Sequence, residues 1–250
     1  MKTIYTIFKK ELKSYFASPI AYIVLFVLLL LSGIFFFLYV ENFAQSQFDP
    51  RFQFLGEALS LNQYVIEPYF GTISVIMLLI IPIITMRLIA DERKNFTAEL
   101  LFTSPIRVSY IVIGKYFASL FLFVIMLILS VVFVLVTLVY GNPDIGPLLS
   151  GYLGLFLLGA SSIAVGLFAS SLTENQIVAA VISFGILLVF WIIGATSTAD
   201  SSILGYLSII NHYENFTKGV IETIDVVYYL SFTFFGLFLS YIMLDSERWK

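Results

Sequence analysis

The chain has 250 residues, 60% of them apolar and 12% charged, and its mean hydropathy of +1.00 lies outside the soluble globular range, so a bilayer is its solvent. The absence of cysteine excludes disulfide staples, thiolate catalysis and Cys-ligated metal. The net charge of −3 matters less than its distribution, because the charges are segregated along the chain.

In residues 1–18, Ile4, Ile7, Phe8, Leu12, Tyr15 and Phe16 recur at helical spacing while Lys2, Lys9, Lys10 and Lys13 take other faces, which predicts a helix lying in the headgroup layer. Pro19 disfavours helix at Ser18, so the chain can bend there before entering the membrane. One long helix with a basic end is the alternative. The apolar run that follows exceeds a signal-peptide core and no A-x-A-like site succeeds it, so an uncleaved first span is expected.

A membrane helix needs about 20 apolar residues to cross roughly 30 Å of hydrocarbon. Gaps between charges that are long enough predict six spans, near 19–40, 69–87, 115–140, 148–171, 176–197 and 226–244. Apart from Arg87 and Lys115 at their ends, none of these spans holds a charged residue, which disfavours ion-coupled transport. Pro82 is the one candidate for a broken helix, against the plainer reading of a tolerated kink. The segment 41–68 is too long for a hairpin connection and is expected to fold against the outer leaflet, while 198–225 is too apolar for a solvated linker and predicts short re-entrant helices. Ser162, Gly166 and Ser170, spaced by four in the fourth span, form a ridge that lets another backbone approach closely.

Lys and Arg are retained on the cytoplasmic side. With the N-terminus inside, 11 of the 13 basic residues fall on that side, and the outer loops carry nine acidic residues. Both termini are therefore expected in the cytoplasm.

The chain lacks the parts of an energy-transducing enzyme. The nearest approach to a phosphate-binding G-x-x-x-x-G-K-[ST] loop, at 109–116, has Ser109 for its first glycine and Tyr116 for its hydroxyl, so Gly114-Lys115 reads as a loop-to-span boundary. His212 is the only histidine, and polar packing in an outer loop is its expected role. An intramembrane enzyme would also need paired acids and bases that the spans lack.

Eight of the 29 charged residues crowd between Arg87 and Lys115. There the sequence predicts a short amphipathic helix from about Asp91 to Thr103, stopped by Ser104-Pro105, with Glu92, Arg93, Asn95 and Glu99 offering charge-assisted contacts. A solvated loop that only sets topology is the other reading.

Asp91-Glu92-Arg93-Lys94, Thr97-Ala98-Glu99-Leu100-Leu101, Thr103-Ser104-Pro105 and Gly114-Lys115-Tyr116 resemble the segment between the second and third spans of type-2 ABC transporter permeases. Further likeness lies in Phe8-Lys9-Lys10-Glu11-Leu12, Ser18-Pro19-Ile20, Ser171 to Gln176, and Phe216 with Gly219-Val220-Ile221 and Asp225. Over nearly the whole chain it is most similar to the gliding-motility-type subunit. The resemblance implies an all-α polytopic permease in a bacterial inner membrane, pairing with a second permease and with two cytoplasmic ABC ATPases that bind ATP and magnesium. It makes 88–114 the coupling segment, with Asp91, Glu92, Arg93, Lys94, Thr97 and Glu99 at the ATPase. It makes 1–18 the connecting helix, with Lys9, Lys10, Glu11 and Lys13. The chain itself would be non-catalytic, without cofactor, metal or nucleic-acid partner. Where the family often has glycine before Thr-x-Glu, this chain has Phe96. A rival reading is a mechanical transmission subunit that hands motion to an outer accessory protein without moving cargo.

Overall fold

A computed structural model describes residues 2–48, 60–97, 106–196 and 203–247. The described residues are helical without strands, and six helices are long and apolar enough to cross a membrane. The chain is thus an all-α polytopic membrane protein.

Helix α1 (Lys2–Ala17) buries Ile7 and Tyr15. Ser18 ends it in an extended conformation and caps α2 (Pro19–Ser46), its hydroxyl accepting from the Ile20 amide at 3.3 Å, with Pro19 in the first turn. Proline is favoured at that position because its missing N–H has no helical partner to lose. The bend expected at Ser18-Pro19 is therefore present, and the alternative of one continuous helix is not.

After a π-helical turn at Asn62–Ile66 comes α3 (Glu67–Thr85). It runs through Pro82 without a break; the interruption falls at Met86, and α4 (Arg87–Lys94) continues beyond it. Here the Ile89 and Ala90 amides donate to the Ser170 hydroxyl at 3.0 and 3.1 Å, which donates in turn to the Met86 carbonyl at 2.8 Å. One serine on a neighbouring helix thereby supplies the partners that the interrupted turn lacks.

The remaining helices among the described residues are α5 (Val108–Tyr140), α6 (Ile145–Ser171), α7 (Gln176–Thr196), two short ones, α8 (Ile203–Tyr206) and α9 (Ile209–Thr217), and α10 (Thr223–Glu247). The short pair occupies the segment before the last span where short helices were expected. Most of α6 is buried, while α2, α7 and α10 present most of their length outward. Small residues make that central position possible. A methyl added at Gly151, Gly154, Gly159 or Gly166 would run into Phe70, Phe216, Phe123 or Thr85 respectively. The predicted ridge thus meets α3: Gly166 faces Thr85, and Ser170 stitches the break at Met86. Ser162 is buried and its hydroxyl donates to its own helix at Leu158.

Helix runs past two of the predicted span limits. The second span continues to Lys94 instead of ending near 87, and the third begins at Val108 instead of 115. Charge had been used to mark where helix gives way to water, but Lys115 is satisfied inside the protein.

Candidate functional site at the basic end of the bundle

Packing of α1 along α5 brings the site together. The Ile7 side chain lies where a β-carbon on Gly114 would come within 2.9 Å of it, so only glycine lets the helices approach this closely. One residue on, Lys115 enters the interface with its side chain 1% exposed. Its ammonium donates to Glu11 Oε1 at 2.7 Å, to Glu92 Oε2 at 3.0 Å and to the Leu88 carbonyl at 2.6 Å. Three donors meet three acceptors, which satisfies a lysine completely. The other Glu92 oxygen accepts from Lys10 at 3.0 Å. Partial burial disfavours the Lys10 ammonium, but the hydrogen bond and charge of Glu92, with the charge of Glu11, outweigh it and hold Lys10 above its ordinary range.

Further ties close the cluster. Asp91 Oδ1 accepts from Gln176 at 2.8 Å and from Asn95 at 3.2 Å, joining α4 to the start of α7. The Arg87 guanidinium stands 4.5 Å from the centre of the Tyr15 ring, and the Tyr15 hydroxyl donates to the Ile84 carbonyl at 3.0 Å. Burial pushes the Tyr15 phenol up, so it remains a neutral donor. The cleft among these groups holds about 160 Å³, below the few hundred Å³ of a small-molecule pocket. The cluster is a fastening, not a binding cavity.

Several of the predicted contact residues make contacts within the chain. Asp91 to Lys94 end a helix instead of beginning one: Asn95 caps α4, and the chain reverses at Phe96, whose φ is +57°. The Phe96 amide donates to the Arg93 carbonyl and the Thr97 amide to the Glu92 carbonyl, both at 3.0 Å. This is the Schellman closure, and its left-handed residue is ordinarily glycine. Phe96 occupies the glycine position at a cost of about 1–2 kcal/mol, with its ring 77% exposed. Glu92 is turned inward and Asp91 sideways, whereas Lys94, Phe96 and Thr97 are exposed and Arg93 is half-buried. Lys9 and Lys13 are exposed on α1. Glu99 and the rest of the helix predicted toward Thr103 lie outside the described residues.

Sequence reasoning missed Lys115, Gln176 and the Arg87–Tyr15 stack. The available signal was Arg93 and Lys94 together, since basic residues favour the last turn of a helix, where the dipole is negative.

A second polar cluster braces the opposite end. His212 is buried there, with Nδ1 2.6 Å from Asp225 Oδ1 and Nε2 3.1 Å from the Tyr206 carbonyl, while Tyr228 stacks on its ring at 4.1 Å. Asn215 donates to the other Asp225 oxygen at 3.0 Å. This is the polar packing expected of the single histidine.

Beyond these sites, no curated protein matches the chain. The family described as ABC-2 family transporter protein matches residues 5–244, which takes in both clusters and nearly all of α1 and the six spans. The chain belongs to the ABC-2 family of transporter proteins, as a membrane-spanning member.

Proposed function

We propose that this chain is the non-catalytic permease subunit of a type-2 ABC exporter in a bacterial inner membrane. Separate cytoplasmic ATPases that bind ATP and magnesium drive it, and it works beside a second permease. Within the family the motifs quoted above favour the gliding-motility-type subunit. Lysine and arginine retention puts the basic end in the cytoplasm.

The observation that carries this reading is the junction at that end. The exposed turn Lys94 to Thr97 is tied through Glu92 to α1 and, by way of Lys115, to α5. A force on the turn therefore reaches three elements at once. The contact surface proposed for the ATPase is Arg93, Lys94, Phe96 and Thr97, continued by Glu99, while Asp91 and Glu92 transmit. Phe96 is its anchor, because a strained, exposed aromatic side chain is costly to a free surface and useful in a partner's pocket. Co-purification with the ATPase tests this. Replacing Arg93, Phe96 and Thr97 by alanine should weaken binding by about tenfold or more while the melting temperature stays within a few degrees. Undiminished binding sinks the contact assignment.

The cleft of about 650 Å³ beside His212, Glu214, Lys218 and Glu222 supports the second reading, transmission of motion to an outer protein. ATP turnover stimulated by such a protein, with no cargo moved, would favour it.

A further inference from the structure

We propose that α1 and α5 form a binding site for one anionic phospholipid of the leaflet facing the basic end. Its acyl chain would lie in an apolar groove and its phosphate against the lysines of α1.

The groove, of about 560 Å³, is lined by Ile4, Tyr5 and Phe8 of α1, Phe117 and Phe121 of α5, and Phe156 of α6. No charged residue lines it. Along α5 it extends from Ile113 to Val124, eleven steps of 1.5 Å or about 16 Å, the length of a substantial part of one acyl chain. Its position beside an interfacial helix opens it toward hydrocarbon instead of water.

Charge complementarity selects the headgroup. Lys10 is turned to Glu92, whereas Lys2, Lys9 and Lys13 are exposed and make no ion pair among the described residues. Spacings of seven and four put these three on one strip of α1, next to the Tyr5 wall of the groove. A basic strip at the headgroup level draws anionic lipid, and the groove converts that general attraction into a place for one molecule. The ATPase contact surface proposed above, Arg93 to Thr97, lies at the end of α4 and uses none of these three lysines.

Native mass spectrometry of the purified chain tests it, after reconstitution in nanodiscs of equal phosphatidylglycerol and phosphatidylcholine. The wild type should retain one phosphatidylglycerol, preferred about fivefold or more. Lys2→Gln/Lys9→Gln/Lys13→Gln should retain lipid without preference, and Val124→Trp, which fills the deep end, should retain neither. Equal retention of the two lipids by the wild type overturns the proposal. So does a preference that survives loss of the three lysines, or lipid retained unchanged by Val124→Trp. Displacement of phosphatidylglycerol by added ATPase would assign the lysines to that partner instead and overturn it as well.

Discussion

Replacing Lys115 by methionine is expected to destabilise the chain by about 3–5 kcal/mol, because it removes one partner from a buried ion cluster and leaves the others uncompensated. Glu11 and Glu92, 12% and 14% exposed, would face each other with only Lys10 beside them, and the Leu88 carbonyl would lose its 2.6 Å donor. For a chain of this size the loss corresponds to a fall in melting temperature of order 10 °C, read by thermal unfolding in nanodiscs. Arginine would not rescue it, since a planar fork cannot meet three acceptors arranged for a compact ammonium. Adding Glu11→Gln and Glu92→Gln to Lys115→Met should recover part of the stability, because the exposed penalty is the uncompensated charge. A melting temperature unchanged by Lys115→Met would mean that the cluster does not hold the helices together.

The second large effect is expected at Gly159. A β-carbon there would overlap the ring of Phe123, which is fully buried. Gly159→Ala should cost about 1–3 kcal/mol by overpacking, although alanine is the better helix former. Gly185 supplies the control: nothing stands within 4 Å of its added β-carbon, so Gly185→Ala should be neutral or slightly stabilising. Thermal unfolding of the two variants side by side checks the claim that α6 is central, and equal effects would contradict it. Phe123→Leu in the Gly159→Ala background should restore part of the loss, as coupling between touching residues requires.

The all-α architecture and the number of spans were legible because hydrocarbon imposes long apolar runs, and these survive any detail of packing. The bend at Ser18-Pro19 was legible for a local reason, a capping serine followed by a residue without an amide hydrogen. The helix end at Lys94 was not. Asp91 and Glu92 suggested a helix start, yet their partners are Gln176, Lys10 and Lys115, up to 85 positions away in sequence. Lys115 deceived for the same reason: a lone charge at the edge of an apolar run looks like a boundary until a second helix brings a carboxylate to it. Phe96, where the resemblance leads one to expect glycine, acquires a meaning only from its φ of +57°. The position is a helix stop that favours glycine, and the aromatic ring is carried there at a cost to the backbone.

In the proposed function, ATP-driven motion enters through the turn at Phe96. The most direct measurement is ATP turnover by the partner ATPase, reconstituted in vesicles with this chain or with its Phe96→Asp variant. The expected result is turnover that depends on the chain and falls about tenfold with Phe96→Asp, at an unchanged melting temperature of the chain. Turnover indifferent to the chain, or undiminished by Phe96→Asp, would contradict the account.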